Sequence, residues 1–290
     1  MIQNIIQLLI SGIATGFIYG LTAIEYTLIW NSCGLLNFAH TKTIMFSAYV
    51  FVGTFIPLFA KAYLPAMLFT ILAIAVFGAL IACIIFIPLR NFTRIIAVMA
   101  TVMLGTFLNE AAVLIYGSAP MSAMGFLEGK VEIGGVVTSL ANLYVIGIAL
   151  VVSVGLKVFT LKTKPGRAMT CVAQDKTAAA LMGVEVKRSM ALSVAISFGI
   201  CALLGCLCAP LFRVQQTMVD MVGLKGFAAG VIGGFGNTTG ALVGGLLLGV
   251  VENIACLIVP STYKDVIAFA LMIAFLMVKP GGLIAAKKDR

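Results

Sequence analysis

The chain has 290 residues, of which 62% are hydrophobic and 10% charged, with 19 basic against 10 acidic side chains. Soluble domains carry charge on roughly a quarter of their residues, so this composition excludes a soluble enzyme or nucleic-acid-binding module; the net charge of +9 is read as membrane topology, with no nucleic-acid partner. Seven cysteines sit mostly inside apolar runs beside a single histidine, so no zinc or disulfide framework is legible, and no cofactor or metal is expected.

A spanning helix needs about 20 mostly apolar residues. Eight stretches supply them: Ile5–Trp30, Ile44–Ala60, Leu64–Leu89, Ile95–Tyr116, Leu140–Phe159, Met190–Phe212, Thr238–Val259 and Tyr263–Leu283. The expected fold is an all-α polytopic membrane protein with about eight transmembrane helices and two broken intramembrane segments, forming one domain over residues 1–290. The first span has no basic leader and too long an apolar run to read as a cleaved signal. Its Gly12, Gly16 and Gly20 recur every four residues, a stripe that lets another backbone approach closely. Asn31–Gly34 ends that helix. Leu35–Thr43 is then too short and too polar for an ordinary span, and irregular backbone at membrane depth survives only against protein or a water-filled cavity. Asn37, Phe38, His40 and Lys42 are therefore candidates to line a transport pathway.

The spans beginning at Ile44 and Leu64 are joined by Lys61–Tyr63, and Arg90 and Arg94 bracket the next turn. Gly117–Ser139 is a polar loop bearing Glu128, Lys130 and Glu132. The one long basic interruption, residues 160–189, contains Gly166–Val184 and reads as two short helices folded against each other. Pro165 pre-sets the first turn, and Met169, Val172 and Ala173 form an apolar stripe. Asp175 has the chemistry of an N-cap for a second helix, whose stripe is Ala178, Leu181 and Met182 and whose stop is Gly183. The order then repeats: a full span, a broken stretch over Val222–Asn237, and two more spans. Interrupted segments in corresponding positions of two halves point to the transport pathway, which adds Gly233, Gly234 and Gly236 to the candidates.

If each broken stretch crosses once, one face holds Arg90, Arg94, Lys157, Lys162, Lys164, Arg167, Lys176, Lys187, Arg188, Lys279, Lys287, Lys288 and Arg290. The other holds Lys61, Lys130, Arg213, Lys225 and Lys264. Thirteen against five places residues 160–189 and both termini in the cytoplasm under the positive-inside rule.

The run Gly166-Arg167-Ala168-Met169, followed by Asp175, Ala178–Ala180 and Met182-Gly183-Val184, resembles the coupling-loop signature of ABC importer permeases of the branched-chain amino acid (Liv-type) family. Residues 34–40 (GLLNFAH), residues 231–237 (VIGGFGN) with Gly240 and Gly244-Gly245, Tyr263-Lys264-Asp265, and residues 279–283 (KPGGL) fit the same family in the same order. The resemblance implies a permease in a bacterial or archaeal cell (inner) membrane, paired with a second, identical or paralogous permease subunit. It also implies two ATP-binding cassette ATPase subunits docked at Gly166, Arg167, Ala168, Met169, Asp175, Ala178 and Gly183, and an extracytoplasmic substrate-binding protein. Branched-chain amino acids are the implied substrates; urea, amides, nucleosides or sugars are those of related permeases. No G-x-x-x-x-G-K-[ST] occurs, so ATP hydrolysis is expected in separate subunits and no enzyme activity in this chain.

Three acids fall inside spans, each needing a partner, water or protonation: Glu25, Glu110 and Glu252. Glu25 stands where the family has glycine, and Lys42 where it has an acid two residues after the Asn-Phe-Ala-His run, so an ion pair between them is one expectation and separate snorkelling the other. Glu110 with Asn109 reads as an interhelical hydrogen-bond site, and Glu252 as an acid reaching interfacial water. His40 is a packed polar residue, a proton relay or a substrate contact. The rival class is an ion-coupled secondary transporter or channel using these acids.

Overall fold

The structure, a computed structural model, describes residues 2–60, 62–89, 92–123, 125–127, 129–133, 136–257, 259–279 and 281–284. Lys61, Arg90, Glu128, Pro280, Lys287, Lys288 and Arg290, and the side chain of Arg94, lie outside the described residues. The helices are α1 (Ile2–Cys33), α2 (His40–Leu58), α3 (Tyr63–Leu89), α4 (Arg94–Tyr116), α5 (Leu140–Lys162), α6 (Lys164–Gln174), α7 (Lys176–Leu181), α8 (Val186–Cys208), α9 (Asp220–Gly233), α10 (Thr238–Ala255) and α11 (Lys264–Val278). One antiparallel hairpin, β1 (Lys130–Ile133) with β2 (Val136–Ser139), pairs Lys130 with Ser139 in the 117–139 loop. Among the described residues, eight helices are long and apolar enough to cross a bilayer, as the sequence predicts. Their outer faces expose Leu72, Ile84, Met99, Met103, Phe107, Leu114 and Val151, an apolar surface that calls for lipid.

Two spans carry a π-helical turn, at Phe51–Phe55 in α2 and at Ala82–Phe86 in α3. Each precedes a proline, Pro57 and Pro88. A proline ring collides with the carbonyl four residues earlier and offers no N–H, and the wider π turn holds that carbonyl, of Gly53 or Ile84, out of the way.

The chain forms two compact units. Unit 1 comprises Met1–Thr27, Met124–Ser153 and Met221–Arg290. Its frame is the glycine stripe of α1 laid on α10. A Cβ on Gly16 would stand 2.9 Å from Leu246 Cα, and one on Gly249 would strike the Gly16 backbone, so the two chains touch main chain to main chain. The sequence predicts the stripe; the structure supplies α10 as its partner.

Unit 2 comprises Leu28–Ala123 and Val154–Asp220. At its centre is α8, the most enclosed of the spans, which packs on α2 and α3. Phe198, Met190 and Val194 of α8 close a core with Ile74, Phe86 and Leu104. Small residues again set the spacing: a Cβ on Gly205 would stand 2.6 Å from the carbonyl of Ile44. Toward one end, Tyr49 stacks on Tyr116 with ring centroids 5.8 Å apart, and the Tyr116 hydroxyl bonds Thr54 Oγ1 at 2.6 Å.

Gly249→Val should lower the melting temperature of the detergent-solubilised protein by an amount equivalent to about 1–3 kcal/mol, the cost of overpacking a close contact. Gly147→Val on α5, where nothing lies within 4 Å of the added carbon, should stay within about 0.5 kcal/mol. Equal effects at both sites would refute the α1–α10 contact as the frame of unit 1.

Candidate functional site

The basic interruption folds as the sequence predicts and faces outward in a way it does not. Thr163 caps α6 by accepting from Gly166 N–H at 3.1 Å, with Pro165 in the first turn, where a missing N–H costs nothing. Asp175 caps α7: Oδ1 accepts from Thr177 N–H at 2.7 Å and Ala178 N–H at 3.1 Å. Gly183 takes the left-handed conformation, φ +80°, that ends it. Gly166, Met169 and Val172 are buried, Ala168 is half-buried, and Arg167 is exposed. A Cβ on Gly166 would collide with the carbonyl of Phe159, so α6 folds back tightly on the end of α5. The second stripe is not an internal one. Leu181 is 85% and Met182 84% exposed, Ala178 is also exposed, and the buried residue of α7 is Ala179.

The first break is shorter than predicted. α1 runs to Cys33, Gly34 turns at φ +73°, and α2 already begins at His40, so the irregular backbone is residues 34–39. Lys42 and Thr43 sit in the first turn of a span. The end of α1 leaves carbonyls without helical donors, and one is met from the basic interruption: Lys176 Nζ of α7 donates to the Cys33 carbonyl at 2.8 Å. Within the break, Asn37 is buried and its Oδ1 accepts from Ala39 N–H at 3.0 Å, while Phe38 is exposed and its N–H donates to Thr101 Oγ1 at 3.2 Å. His40 is buried, with Nδ1 at 3.6 Å from Cys201 Sγ.

Lys42 finds a carboxylate that the sequence does not suggest. Its ammonium lies 2.8 Å from Asp220 Oδ1, at the head of α9, and 3.1 Å from the Gln216 carbonyl. Asp220, not Glu25, is thus the counter-ion observed for Lys42. Glu25 is buried in α1 within unit 1.

The second break resolves into α9, a helix of 14 residues, followed by a glycine turn. At 1.5 Å per residue α9 is about 21 Å long, short of the roughly 30 Å hydrocarbon core. Gly234 (φ +108°) and Gly236 (φ +97°) make the turn, and Asn237 Oδ1 caps α10 by accepting from Thr239 and Gly240 N–H. A Cβ on Gly233 would strike the Gly240 carbonyl. The run around 279–283 has a structural reason: the N–H groups of Leu283 and Ile284 donate to the carbonyls of Ile232 and Gly233, satisfying the end of α9. Glycine here serves the meeting of three backbones.

Two intramembrane acids also differ from expectation. Glu110 accepts from Asn109 Nδ2 at 3.1 Å, a bond between sequence neighbours on α4 instead of between helices. Glu252 is buried and bound by Lys225 of α9 at 2.7 Å, and Lys225 also reaches Asp265 at 2.7 Å. Sequence counting places Lys225 among the charges of a membrane face; the structure makes it an internal counter-ion. The signal available beforehand was a lone cation in a glycine-rich apolar stretch with acids in both following spans.

The Lys42–Asp220 pair is part-exposed, with side chains 26% and 39% accessible, so its coupling should not exceed about 1 kcal/mol. A double-mutant cycle of Lys42→Met and Asp220→Asn on unfolding in detergent measures it. Coupling above about 3 kcal/mol, the scale of a buried pair, would contradict this geometry.

Residues 8–276 match the family described as branched-chain amino acid transport system / permease component. The chain is 30% identical, over 98% of its length and 96% of the other's, to the high-affinity branched-chain amino acid transport system permease protein BraD of Pseudomonas aeruginosa. It is 29% identical, over 96% of its length and 95% of the other's, to the corresponding permease protein LivH of Escherichia coli K12. A probable branched-chain amino acid transport permease protein of Methanocaldococcus jannaschii is 24% identical over 91% of this chain and 87% of its own. No solved structure matches with significance. With eight membrane-capable helices and a family match across nearly all of its length, this chain belongs to the permease components of branched-chain amino acid transport systems.

Proposed function

We propose that the chain is the membrane-spanning permease subunit of an ATP-driven importer of branched-chain amino acids in a bacterial or archaeal cell membrane. A second permease subunit, identical or paralogous, completes the pathway. Two ATP-binding cassette ATPase subunits dock on α6–α7 from the cytoplasm, and an extracytoplasmic binding protein delivers substrate to the opposite face. The observation that carries this reading is the surface of α7. Two large apolar side chains, Leu181 and Met182, stand more than four-fifths exposed at the end of a short helix capped at both ends, in a segment that also carries Lys164, Arg167, Lys176 and Lys187. A rigid, basic, apolar-tipped projection suits a soluble protein partner better than it suits water.

The element is also wired into the membrane part. Lys176 holds the terminal carbonyl of α1 one residue before the Gly34 turn, and Asn37, Phe38, His40 and Lys42 follow directly. Displacement of α6–α7 by an ATPase dimer closing on ATP pulls at the start of the first break. There α1 has ended and the backbone is irregular until His40, so the pathway residues move with it. Glu25 and the turn at Gly233, Gly234 and Gly236 are further pathway candidates. With α7 cytoplasmic, the 117–139 loop at the far end of α5 is external. Lys176 on Cys33 puts the end of α1 on the cytoplasmic side, and a break of six residues is too short to cross, so the start of α1 faces out and the expectation of two cytoplasmic termini gives way. Of the three acids an ion-coupled carrier would use, Glu252 is already committed to Lys225.

Leu181→Asp with Met182→Asp should leave insertion intact and remove the ATPase subunits from the purified complex. Retention at wild-type stoichiometry would sink the docking assignment. Lys176→Met should keep the ATPase bound and hydrolysing while amino-acid uptake per ATP falls severalfold; an unchanged ratio would show that the Cys33 contact transmits nothing.

A further inference from the structure

We propose that Lys225 is a positioning residue of the transport cycle, whose ammonium fixes the register of the half-helix α9 against α10 and α11. This rests on the importer reading above for its functional readout, and on unit 1 alone for its geometry.

The packing of α9 is smooth. Gly223, Gly226, Gly230 and Gly233 leave it without knobs along much of its length. A Cβ on Gly226 would strike Thr22 of α1, and one on Gly244 of α10 would strike the Ala229 carbonyl. Such contacts bring backbones close, but a surface without side chains holds neither rotation nor height firmly, because sliding or turning meets few steric steps. Beyond Asp220 at its head, α9 carries one charge, Lys225. That ammonium lies 2.7 Å from Glu252 Oε1 on α10 and 2.7 Å from Asp265 Oδ1 on α11, and 5.7 Å from the Tyr19 ring centre on α1. Three helices converge on one atom of the fourth.

Lys225 and Glu252 side chains are 6% and 4% accessible and Asp265 43%. Glu252 Oε2 is also buried, with no hydrogen-bond partner among the described residues. Burying these charges is unfavourable compared with apolar side chains of the same size, so stability alone gives poor reason for the triad. What it supplies is direction: displacing α9 by one residue leaves two carboxylates facing no cation. A single polar contact inside otherwise permissive packing is the best-attested means of specifying register. The turn at Gly233–Gly236 begins at the end of the same helix, so the height of α9 sets where that turn lies.

The test separates stability from position, using the full-length chain in detergent and the complex in proteoliposomes. Lys225→Met alone strands both carboxylates and should lower the melting temperature by several degrees. Adding Glu252→Gln and Asp265→Asn should restore it to near wild type. In that restored triple variant, amides of residues 220–233 should exchange with deuterium about tenfold faster while those of α8 do not change, and leucine uptake should fall about tenfold through maximal rate with KM little altered. Lys225→Arg should retain most uptake. Wild-type exchange in α9 of the triple variant, or a triple variant as unstable as Lys225→Met, would overturn the register role; wild-type uptake would overturn the functional one. Wild-type protein that carries no amino acid would instead refute the importer reading, with the exchange comparison still deciding the register.

Discussion

A polar group inside a bilayer has no water to turn to, and every interruption of a helix at that depth must bring its own partners. This constraint accounts for much of the local structure. The end of α1 has a left-handed glycine and a lysine on its last carbonyl. The break that follows carries an asparagine folded onto its own backbone. The end of α9 is met by the N–H groups of Leu283 and Ile284, and the start of α10 by Asn237. Where a charge enters, it arrives with its counter-ion, as Lys225 does with Glu252 and Asp265. Each device costs conformational freedom, and each fixes a position.

The second theme is the division of labour between glycine and charge. Between lipid-exposed helices there is little hydrophobic gain in associating, so tight contact depends on small residues, as along Gly12, Gly16 and Gly20 against α10. Small residues give proximity with weak orientation. The few ionic contacts give orientation with little net stability. A transporter can use that combination, since elements that touch closely without interlocking can be repositioned by modest forces.

Most of the fold was legible in the sequence because bilayer thickness sets a length that composition must satisfy, and the eight spans follow from it. The first turn of α6 and the cap of α7 were legible because Pro165 and Asp175 act within three residues of where they stand; the Thr163 cap was not read. The outward direction of Leu181 and Met182 was not: a periodic stripe says that two residues share a face, and not which neighbour covers it. The start of α2 at His40 was missed because Asn37, His40 and Lys42 together look too polar for a span, whereas the lysine leaves the span sideways toward Asp220. The ion triad was hidden for a different reason. Its members are 27 and 40 residues apart in the chain, and nothing in local spacing joins Lys225 to Glu252 or Asp265.

The central claim, that movement in this chain is driven through a docked ATPase and not by an ion gradient, meets its most direct test in vesicles holding the purified complex. Leucine presented with its binding protein should accumulate inside only when ATP is supplied on the α6–α7 side. That accumulation should persist after ionophores have collapsed the sodium, proton and electrical gradients. Uptake that proceeds without ATP and disappears with the gradients would contradict the account.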